Sequence, residues 1–291
     1  MKRLIPCIVL VACAGPEDFD GCEHIAASEL GVYSNNVGIF PQYLVDLYSD
    51  SLKEKKKDLV QDEEERAALY AEALLDFERD PDILLLQEIW SIPARDVLIA
   101  ELAGKYPHVA HPEAVSDSLQ PSGLVVFSKY RLTDFDYEVF NRGEGVDLVS
   151  QKGIVGVKLK KEGRSIAAFV THLQAGGEDK DIRPDQMAES SEFIRDFGGG
   201  DRVRFLVGDL NTNSNGDAYA DIFDILEGSE DTYVAKCSAL KSTARYADEP
   251  EKRLDYMLTF DDVDAVSTIV DPGGYTLADH LAVSGVISLE E

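Results

Sequence analysis

The sequence reads Phe205-Leu206-Val207-Gly208-Asp209-Leu210-Asn211 at the point where an apolar run meets two polar side chains. A short apolar run bounded by turn-forming residues predicts a buried strand. Because side chains two apart in a strand point to the same face, we expect Asp209 and Asn211 to project together where this strand ends. A carboxylate beside a carboxamide suits a metal, a water or a phosphate oxygen. The same pattern is also ordinary turn chemistry, so its meaning depends on what the other strands carry.

Apolar strands and amphipathic helices fill the chain on both sides of this stretch. We predict strands at residues 31–40, 83–86, 124–127, 135–140, 154–159, 166–171, 203–207, 255–259, 265–270 and 282–287. We predict helices at residues 62–79, 93–103, 183–197 and 218–226. Many strands form adjacent, hairpin-like pairs, and helices separate only some of them. This order predicts an α/β fold, a four-layer sandwich of two mostly antiparallel β-sheets flanked by helices.

The composition indicates one domain with an acidic surface. Hydrophobic residues make up 44% of the 291 residues, enough for a substantial core. Asp and Glu number 55 against 28 Lys and Arg, which gives a formal net charge of −27. Duplex binding depends on Lys and Arg that neutralise phosphates, so this charge argues against nucleic acid as a partner. A solubility adaptation or a salty habitat explains the charge equally well, and a local basic groove is compatible with it.

The first residues are typical of an export signal. Lys2 and Arg3 precede an apolar run at residues 4–12, which is short for a membrane span and suits the core of a secretion signal. The sequence Leu10-Val11-Ala12-Cys13 resembles a bacterial lipoprotein signal, in which cleavage leaves a lipidated Cys13 at the N-terminus. A plain secretion signal and a buried first strand are the alternatives.

These features predict the domain organisation and the location of the protein. We expect a signal peptide at residues 1–13, a tether at 14–30 and one folded domain at 31–291. The protein is then either a bacterial outer-membrane lipoprotein or a secreted protein. In an oxidising compartment Cys22 and Cys237 form a disulfide or remain two free thiols.

Polar side chains that can hold a metal or a phosphate follow four of the predicted strands, and further ones come near the C-terminus. They are Asn36, Glu88, His172, Asp209 with Asn211, Asp255, and the pair Asp279-His280. Each has an ordinary explanation as a strand end, a turn, a cap or a structural histidine. Their recurrence along the chain is hard to explain in that way, so we expect them to form one site.

Together these motifs resemble the endonuclease/exonuclease/phosphatase superfamily, the deoxyribonuclease-like proteins. The motifs general to that superfamily are Glu88 after an apolar strand, Gly208-Asp209-x-Asn211, Arg253-x-Asp255-Tyr256 and Asp279-His280. The motifs similar to the bacterial neutral sphingomyelinases, enzymes of the phospholipase C type, are Thr171-His172-Leu173-Gln174-Ala175, Lys152-Gly153, Gly123 through Ser128-Lys129, and Arg183 with Gln186. The resemblance extends over residues 31–288, nearly the whole predicted domain.

The resemblance implies a catalytic domain at residues 31–291 and a phosphodiesterase activity. The expected reaction is hydrolysis of sphingomyelin or a related phospholipid to phosphocholine and ceramide. An extracellular nuclease, or another phosphodiesterase or phosphatase of the same superfamily, is the alternative enzyme. A catalytically inactive scaffold or adhesion module is the alternative from another class. The expected cofactor is Mg²⁺ or another divalent cation such as Mn²⁺ or Co²⁺, because carboxylate and amide oxygens suit such ions.

The resemblance also implies a metal-binding side of the site. Glu88 is the expected principal ligand, with Asn36 beside it, and Asp279 is expected to hold a second metal or to order water. Lys152 and Arg183 are expected either to contact the substrate phosphate or to balance the charge of nearby acids.

A catalytic side of the site is implied as well. His280 is the expected general base, since the pKa of an imidazole lies near working pH, and Asp255 is expected to orient it. Asp209 is expected to position the attacking water, and Asn211 to donate to a phosphate oxygen. His172 is expected to stabilise the developing charge or to assist the leaving group.

Two positions depart from the family pattern. Ala278 stands where the family usually has a serine, which affects a supporting hydrogen bond. The segment at residues 260–278 is short and acidic, with Phe260 and Tyr275 as its only aromatic residues, whereas similar secreted sphingomyelinases often carry a long aromatic hairpin there. Aromatic anchors seat proteins at the bilayer interface. Either a lipid on Cys13 replaces them at the membrane surface, or the substrate is not a bilayer lipid. The oligomeric state is open.

Export with lipidation predicts that Cys13→Ser abolishes labelling of the protein by palmitate, because the thiol that accepts the lipid is removed. Metabolic labelling of cells that express the wild type and the variant measures this. Labelling that persists in Cys13→Ser would rule out the lipoprotein hypothesis.

Overall fold

A computed structural model describes residues 28–41, 59, 61–113, 122–144, 147, 151–176, 180–234, 238, 240–244, 252–261, 263–271, 273 and 277–290. The strands are β1 (Glu29–Ile39), β2 (Ile83–Ile89), β3 (His108–Ala110), β4 (Val125–Ser128), β5 (Leu132–Val139), β6 (Gly153–Lys161), β7 (Arg164–His172), β8 (Val203–Asp209), β9 (Ser229–Asp231), β10 (Asp255–Phe260), β11 (Ala265–Val270) and β12 (Ala282–Ser288). The helices are α1 (Glu63–Leu75), α2 (Ile92–Leu102), α3 (Arg183–Gly198) and α4 (Tyr219–Ile225), with a 3₁₀ turn at Lys180–Ile182.

The strands form two sheets of six. The first has the order β11-β12-β1-β2-β4-β3 and the second the order β5-β6-β7-β8-β10-β9. Each sheet contains one parallel pair, β1 with β2 and β7 with β8, and the other pairs are antiparallel. The predicted sandwich of two mostly antiparallel sheets is therefore confirmed.

Alternating side chains of the strands fill three hydrophobic clusters. In β8, Val203, Phe205 and Val207 point between the two sheets, where they join the apolar faces of β1, β2, β6 and β7. The intervening Leu206 points the other way, into a cluster beneath α3 and α4. A third cluster lies beneath α1 and α2 and contains Tyr33 and side chains of both helices. This period of two is what a strand covered on both faces requires.

The helix boundaries follow local capping chemistry. The carboxylate of Asp62 accepts a hydrogen bond from the backbone N–H of Glu65 at 2.8 Å, so α1 begins at the predicted cap. It ends at Leu75, four residues before the predicted end at residue 79. The three-residue strands β3 and β9 were not predicted, because they are too short to show a pattern.

Several sequence predictions lie outside the described residues. These are the signal peptide at residues 1–13, the lipidation of Cys13, the tether up to residue 27 and the pairing of Cys22 with Cys237. Among the residues that are described, no helix is long and apolar enough to cross a membrane.

A glycine is required where the parallel strands β7 and β8 meet. Gly208 has φ 141°, and a Cβ at this position would lie 1.9 Å from the backbone oxygen of Thr171. Any side chain here would force the two strands apart. The glycine of the Gly208-Asp209-x-Asn211 motif thus allows β8 to bring Asp209 level with His172.

Gly208→Ala should therefore destabilise the fold by at least about 3 kcal/mol, since overpacking adds to backbone strain. The measurement is the free energy of unfolding from a urea titration. Gly163→Ala is the control, because Gly163 has φ 74° but a Cβ added there would meet no atom within 4 Å. In this variant the free energy of unfolding should fall only by the cost of placing alanine in a left-handed backbone conformation, about 1–2 kcal/mol. An equal fall in the free energy of unfolding in both variants would contradict the conclusion that Gly208 is required by the close packing of β7 and β8.

Candidate active site

Polar side chains from both sheets converge at one end of the sandwich. The parallel pairing of β1 with β2 brings Asn36 and Glu88 to the same strand ends, and the pairing of β7 with β8 places His172 opposite Asp209. The amide of Asn36 donates to Oδ2 of Asp209 at 3.1 Å, which links the two sheets. The predicted strand-end residues therefore do form one cluster.

His172 lies between the carboxylates of that cluster. Its Nε2 is 3.7 Å from Oε1 of Glu88 and 3.7 Å from Oδ2 of Asp209. The imidazole is 2% exposed and the Glu88 side chain 16% exposed, so Glu88 is the more accessible of the two groups. This geometry places an imidazole beside the predicted metal ligand.

His280 is held by a buried carboxylate. Its Nδ1 donates to Oδ2 of Asp255 at 2.8 Å and lies 3.9 Å from Oδ2 of Asp209. The backbone oxygen of His280 accepts from the amide of Asn35 at 3.2 Å, and Oδ1 of Asn35 accepts from the hydroxyl of Tyr70 at 2.7 Å. The ring is thus oriented by Asp255 while its backbone is tied to α1 through Asn35.

Burial and close charges shift the pKa values of this cluster. Burial, reinforced by the charge of Asp255, raises the pKa of Asp209 from 3.8 to about 7. Burial alone would lower the pKa of His280, but the hydrogen-bonded charge of Asp255 outweighs it and raises the pKa from 6.5 to about 10. The stability that His280 gains is therefore complete below pH 6.5 and is lost as pH rises through about 10. Ionising Asp209 costs stability as pH rises from 3.8 through about 7.

Asn211 is held beside Asp209 by local backbone geometry. Its φ is 49°, in the left-handed region that asparagine tolerates better than most residues. Its backbone N–H donates to Oδ1 of Asp209 at 2.8 Å, and its side-chain Nδ2 donates to the backbone oxygen of Leu173 at 3.0 Å. An amide nitrogen carries two donors, so one N–H remains for a ligand.

Lys152 is turned toward His172. Its ammonium donates to Nε2 of His172 at 3.0 Å and to the backbone oxygen of Leu173 at 2.7 Å, and it pairs with Oδ2 of Asp147 at 3.0 Å. An ammonium can only donate, so Nε2 of His172 accepts and the neutral ring carries its proton on Nδ1. These three partners match the three donors of Lys152. The ion pair with Asp147 matches the expected role of balancing a nearby acid, and the expected contact of Lys152 with the substrate phosphate stays a prediction.

Arg183 supports the loop after β7. Its Nη1 donates to the backbone oxygens of Gln174 at 3.0 Å and Gly176 at 2.9 Å. The backbone N–H of Gln174 donates to Oε1 of Gln186 at 2.7 Å. These contacts tie Arg183 and Gln186 to the backbone of the loop that follows His172, and the expected contact of Arg183 with the substrate phosphate stays a prediction.

The acceptors of the cluster fit a divalent cation. Among the described residues, no donor reaches the buried Oδ1 atoms of Asn36 and Asp255. Asp209, Asp255 and His280 each offer one ligand atom, and these atoms lie within 4.8 Å of one another. Glu88 projects from β2 with φ 58°, a strained conformation typical of functional sites. Oxygen-rich donors of this kind suit Mg²⁺ or a similar ion.

The sequence prediction missed one charged side chain near the cluster. Arg66 lies on the buried face of α1, is 6% exposed, and interacts electrostatically with Asp279 and Glu88. Asp279 itself is buried and adds to the charges that act on His280. The signal in the sequence was an arginine inside the predicted helix, four residues before Tyr70 and therefore on the same face of the helix. A buried arginine needs an electrostatic partner.

Comparisons with known proteins agree with this geometry. The sequence profile of the Endonuclease/Exonuclease/phosphatase family matches residues 53–280. Sphingomyelinase C from Bacillus cereus is 27% identical over 233 residues, which cover 68% of this chain and 69% of that protein. Sphingomyelinase C from Listeria ivanovii is 31% identical over 184 residues, which cover 56% of this chain and 54% of that protein. The chain therefore matches about half to two thirds of the length of these relatives.

One solved structure shows the same fold. It is a beta toxin mutant from Staphylococcus aureus with bound magnesium ions, and it superposes with a TM-score of 0.72 at 22% identity. The match covers 88% of this chain and 99% of that structure. The predicted deoxyribonuclease-like architecture is thus confirmed, as is the resemblance to the bacterial sphingomyelinases.

The ion pair of His280 with Asp255 makes a prediction about titration. In Asp255→Asn the pKa of His280 should fall well below about 10, because burial is then opposed by fewer negative charges. An NMR titration of labelled histidine rings in EDTA-treated protein measures it. Asp261→Asn is the control, since Asp261 pairs with Arg204 on the surface and should leave the titration unchanged. If the pKa of His280 is the same in Asp255→Asn as in the wild type, the charge of Asp255 is not what raises it.

Proposed function

Since the chain belongs to the Endonuclease/Exonuclease/phosphatase family, we propose that it is an exported, metal-dependent phosphodiesterase of the phospholipase C type. Its substrate is sphingomyelin or a related phospholipid, and its products are phosphocholine and ceramide. The observation that carries this proposal is the pair of His280 and Asp255 beside Asp209, in one cluster with Glu88 and Asn36. The names of the relatives, sphingomyelinase C, support the choice of substrate.

His280 is the general base of the proposed reaction. Asp255 fixes the ring through Nδ1, and Nε2 is the atom that takes a proton from the attacking water. Asp209 lies 3.9 Å from the same ring and accepts from two neighbouring N–H groups, so its carboxylate is fixed in place to orient that water. A divalent cation held by Glu88 and Asn36 would polarise the phosphoryl oxygen and, as a nearby positive charge, lower the pKa of His280 toward neutrality.

His172 and Asn211 act on the other atoms of the phosphodiester. The second N–H of the Asn211 amide donates to a phosphate oxygen. His172 stabilises the charge that develops as the leaving oxygen departs, and the ammonium of Lys152 behind it adds positive charge at 3.0 Å. Asp279 orders water or holds a second cation beside His280.

Recruitment to a membrane requires a separate explanation. Phe260 is 4% exposed and packs in the cluster beneath α3 and α4, so it does not reach a bilayer. The following segment contains the six-residue edge strand β11 of the first sheet. We therefore propose that the lipidated Cys13 brings the catalytic domain to the membrane surface.

Three substrates distinguish the proposed activity from its alternatives. The purified protein should release phosphocholine from sphingomyelin vesicles, act less on phosphatidylcholine vesicles and leave plasmid DNA intact, and EDTA should abolish turnover. Cleavage of DNA alone would establish a nuclease instead. Absence of turnover with Mg²⁺, Mn²⁺ and Co²⁺ would favour the scaffold.

Two substitutions test the residues assigned to the base. His280→Ala and Asp209→Asn should each lower kcat by roughly 10² to 10⁴-fold on sphingomyelin, the range of general acid–base groups. His108→Ala is the matched control, because His108 lies in β3, next to β4 at the edge of the first sheet. The assignment is wrong if both purified variants retain wild-type activity.

A further inference from the structure

Arg66 is a buried arginine on the face of α1 that packs against the first sheet. It is 6% exposed, and its Nη2 donates to the backbone oxygen of Gly38 at 2.7 Å. Its Nε has no acceptor among the described residues. Burying a guanidinium is costly, so this side chain needs a reason beyond packing.

The carbonyl that Arg66 binds belongs to an irregular point in the sheet. The register of β1 with β2 runs regularly to the pair of Asn36 and Gln87 and resumes at Ile39 and Ile89. Two residues of β1, 37 and 38, therefore stand opposite Glu88 alone, which is the geometry of a β-bulge. Gly38 has φ 69° and Glu88 has φ 58°, so both strands leave regular geometry here.

The bulge separates the two residues proposed to hold the cation. Asn36 lies directly before it on β1, and Glu88 lies opposite it on β2. Bulges beside active sites turn side chains in new directions, and their geometry decides where those side chains point. A side-chain donor on the carbonyl of Gly38 fixes the bulge from the side of α1.

Charge supports the same role. Burial lowers the pKa of Arg66, while the carboxylates of Asp279 and Glu88 oppose that effect. The guanidinium thus lies close enough to both carboxylates to interact with their charges. Its positive charge therefore favours the ionised forms of both carboxylates, while its hydrogen bond is made to the backbone oxygen of Gly38.

We propose that Arg66 is a positioning residue, which clamps the bulge of β1 so that Asn36 and Glu88 are preformed to bind a divalent cation. This inference rests on the metal site of the proposed function. It assigns to α1 a part in that site that no strand-end motif indicates.

The test compares Mg²⁺ binding by the whole protein, measured by isothermal titration calorimetry, in three variants. Arg66→Met removes the hydrogen bond and the charge, and Arg66→Lys keeps the charge but lacks the planar fork that reaches the carbonyl. Both should bind Mg²⁺ at least tenfold more weakly than the wild type. Arg79→Met is the matched control, since Arg79 follows α1 and donates to Oγ1 of Thr268 at 2.9 Å. It should lower the urea midpoint and leave Mg²⁺ affinity within about twofold.

The outcomes separate this inference from the proposed function. Wild-type affinity in both Arg66 variants would overturn the clamp alone. Tighter binding in Arg66→Met with normal binding in Arg66→Lys would also overturn it, because Arg66 would then act only as a competing charge. A wild-type protein that binds neither Mg²⁺ nor Mn²⁺ would overturn the metal site and the clamp together. If Arg66→Met does not fold, Arg66→Lys decides the question.

Discussion

Mutual repulsion among buried carboxylates is the constraint on which the rest of this site depends. Asp209, Asp255 and Asp279 are each less than one tenth exposed, and Glu88 lies 3.7 Å from an imidazole that also faces Asp209. In a low-dielectric interior such groups remain ionised only where positive charges compensate them. Burial first, and then the charge of Asp255, raises the pKa of Asp209 to about 7, because the nearby positive charges offset these two effects only in part. Among the described residues, His280, Lys152 and Arg66 place positive charge near these carboxylates. The negative charge that these groups leave uncompensated is the physical reason why this arrangement suits a divalent cation.

The sandwich fold determines how these carboxylates are brought together. One parallel pair in each sheet sends two strand ends to the same end of the molecule, and packing of the sheets brings the two pairs face to face. The hydrogen bond from Asn36 to Asp209 then joins one sheet to the other at 3.1 Å. Two irregularities of the backbone set the local geometry of these strand ends. Gly208 lets β8 approach β7 closely, and the bulge after Asn36 turns β1 away from regular pairing. Hydrophobic packing between the sheets is thus also what holds the two proposed halves of the site, catalytic and metal-binding, together.

The sequence predicted those features that local chemistry determines. Apolar runs predicted the long strands, since a buried strand must be apolar on both faces, and the polar residues that follow them do converge. The sequence did not predict the direction in which long side chains point. Lys152 turns inward to His172, and Arg183 turns to the backbone of the loop after β7. Both depend on partners distant in sequence or on loop conformation. Arg66 was missed for the same reason, because Gly38, Glu88 and Asp279, with which it interacts, are distant from it in sequence. The catalytic roles of these residues stay predictions.

The proposed chemistry and the proposed recruitment to a membrane depend on different parts of this chain. Asp255 opens β10 and His280 pairs with Ala244 just before β12, so each is fixed by its own backbone pairing. The segment between them contributes the edge strand β11, which pairs with β12 along its whole length. Its role is therefore to extend the first sheet behind His280. An aromatic hairpin inserted within residues 260–278 would lengthen the connection between Asp255 and His280 without altering the backbone pairing of either residue. The short acidic connection of this chain likewise leaves both pairings in place. The shortness of residues 260–278 thus bears on how the domain reaches its substrate, whereas the pairing of His280 with Asp255 bears on what it does there.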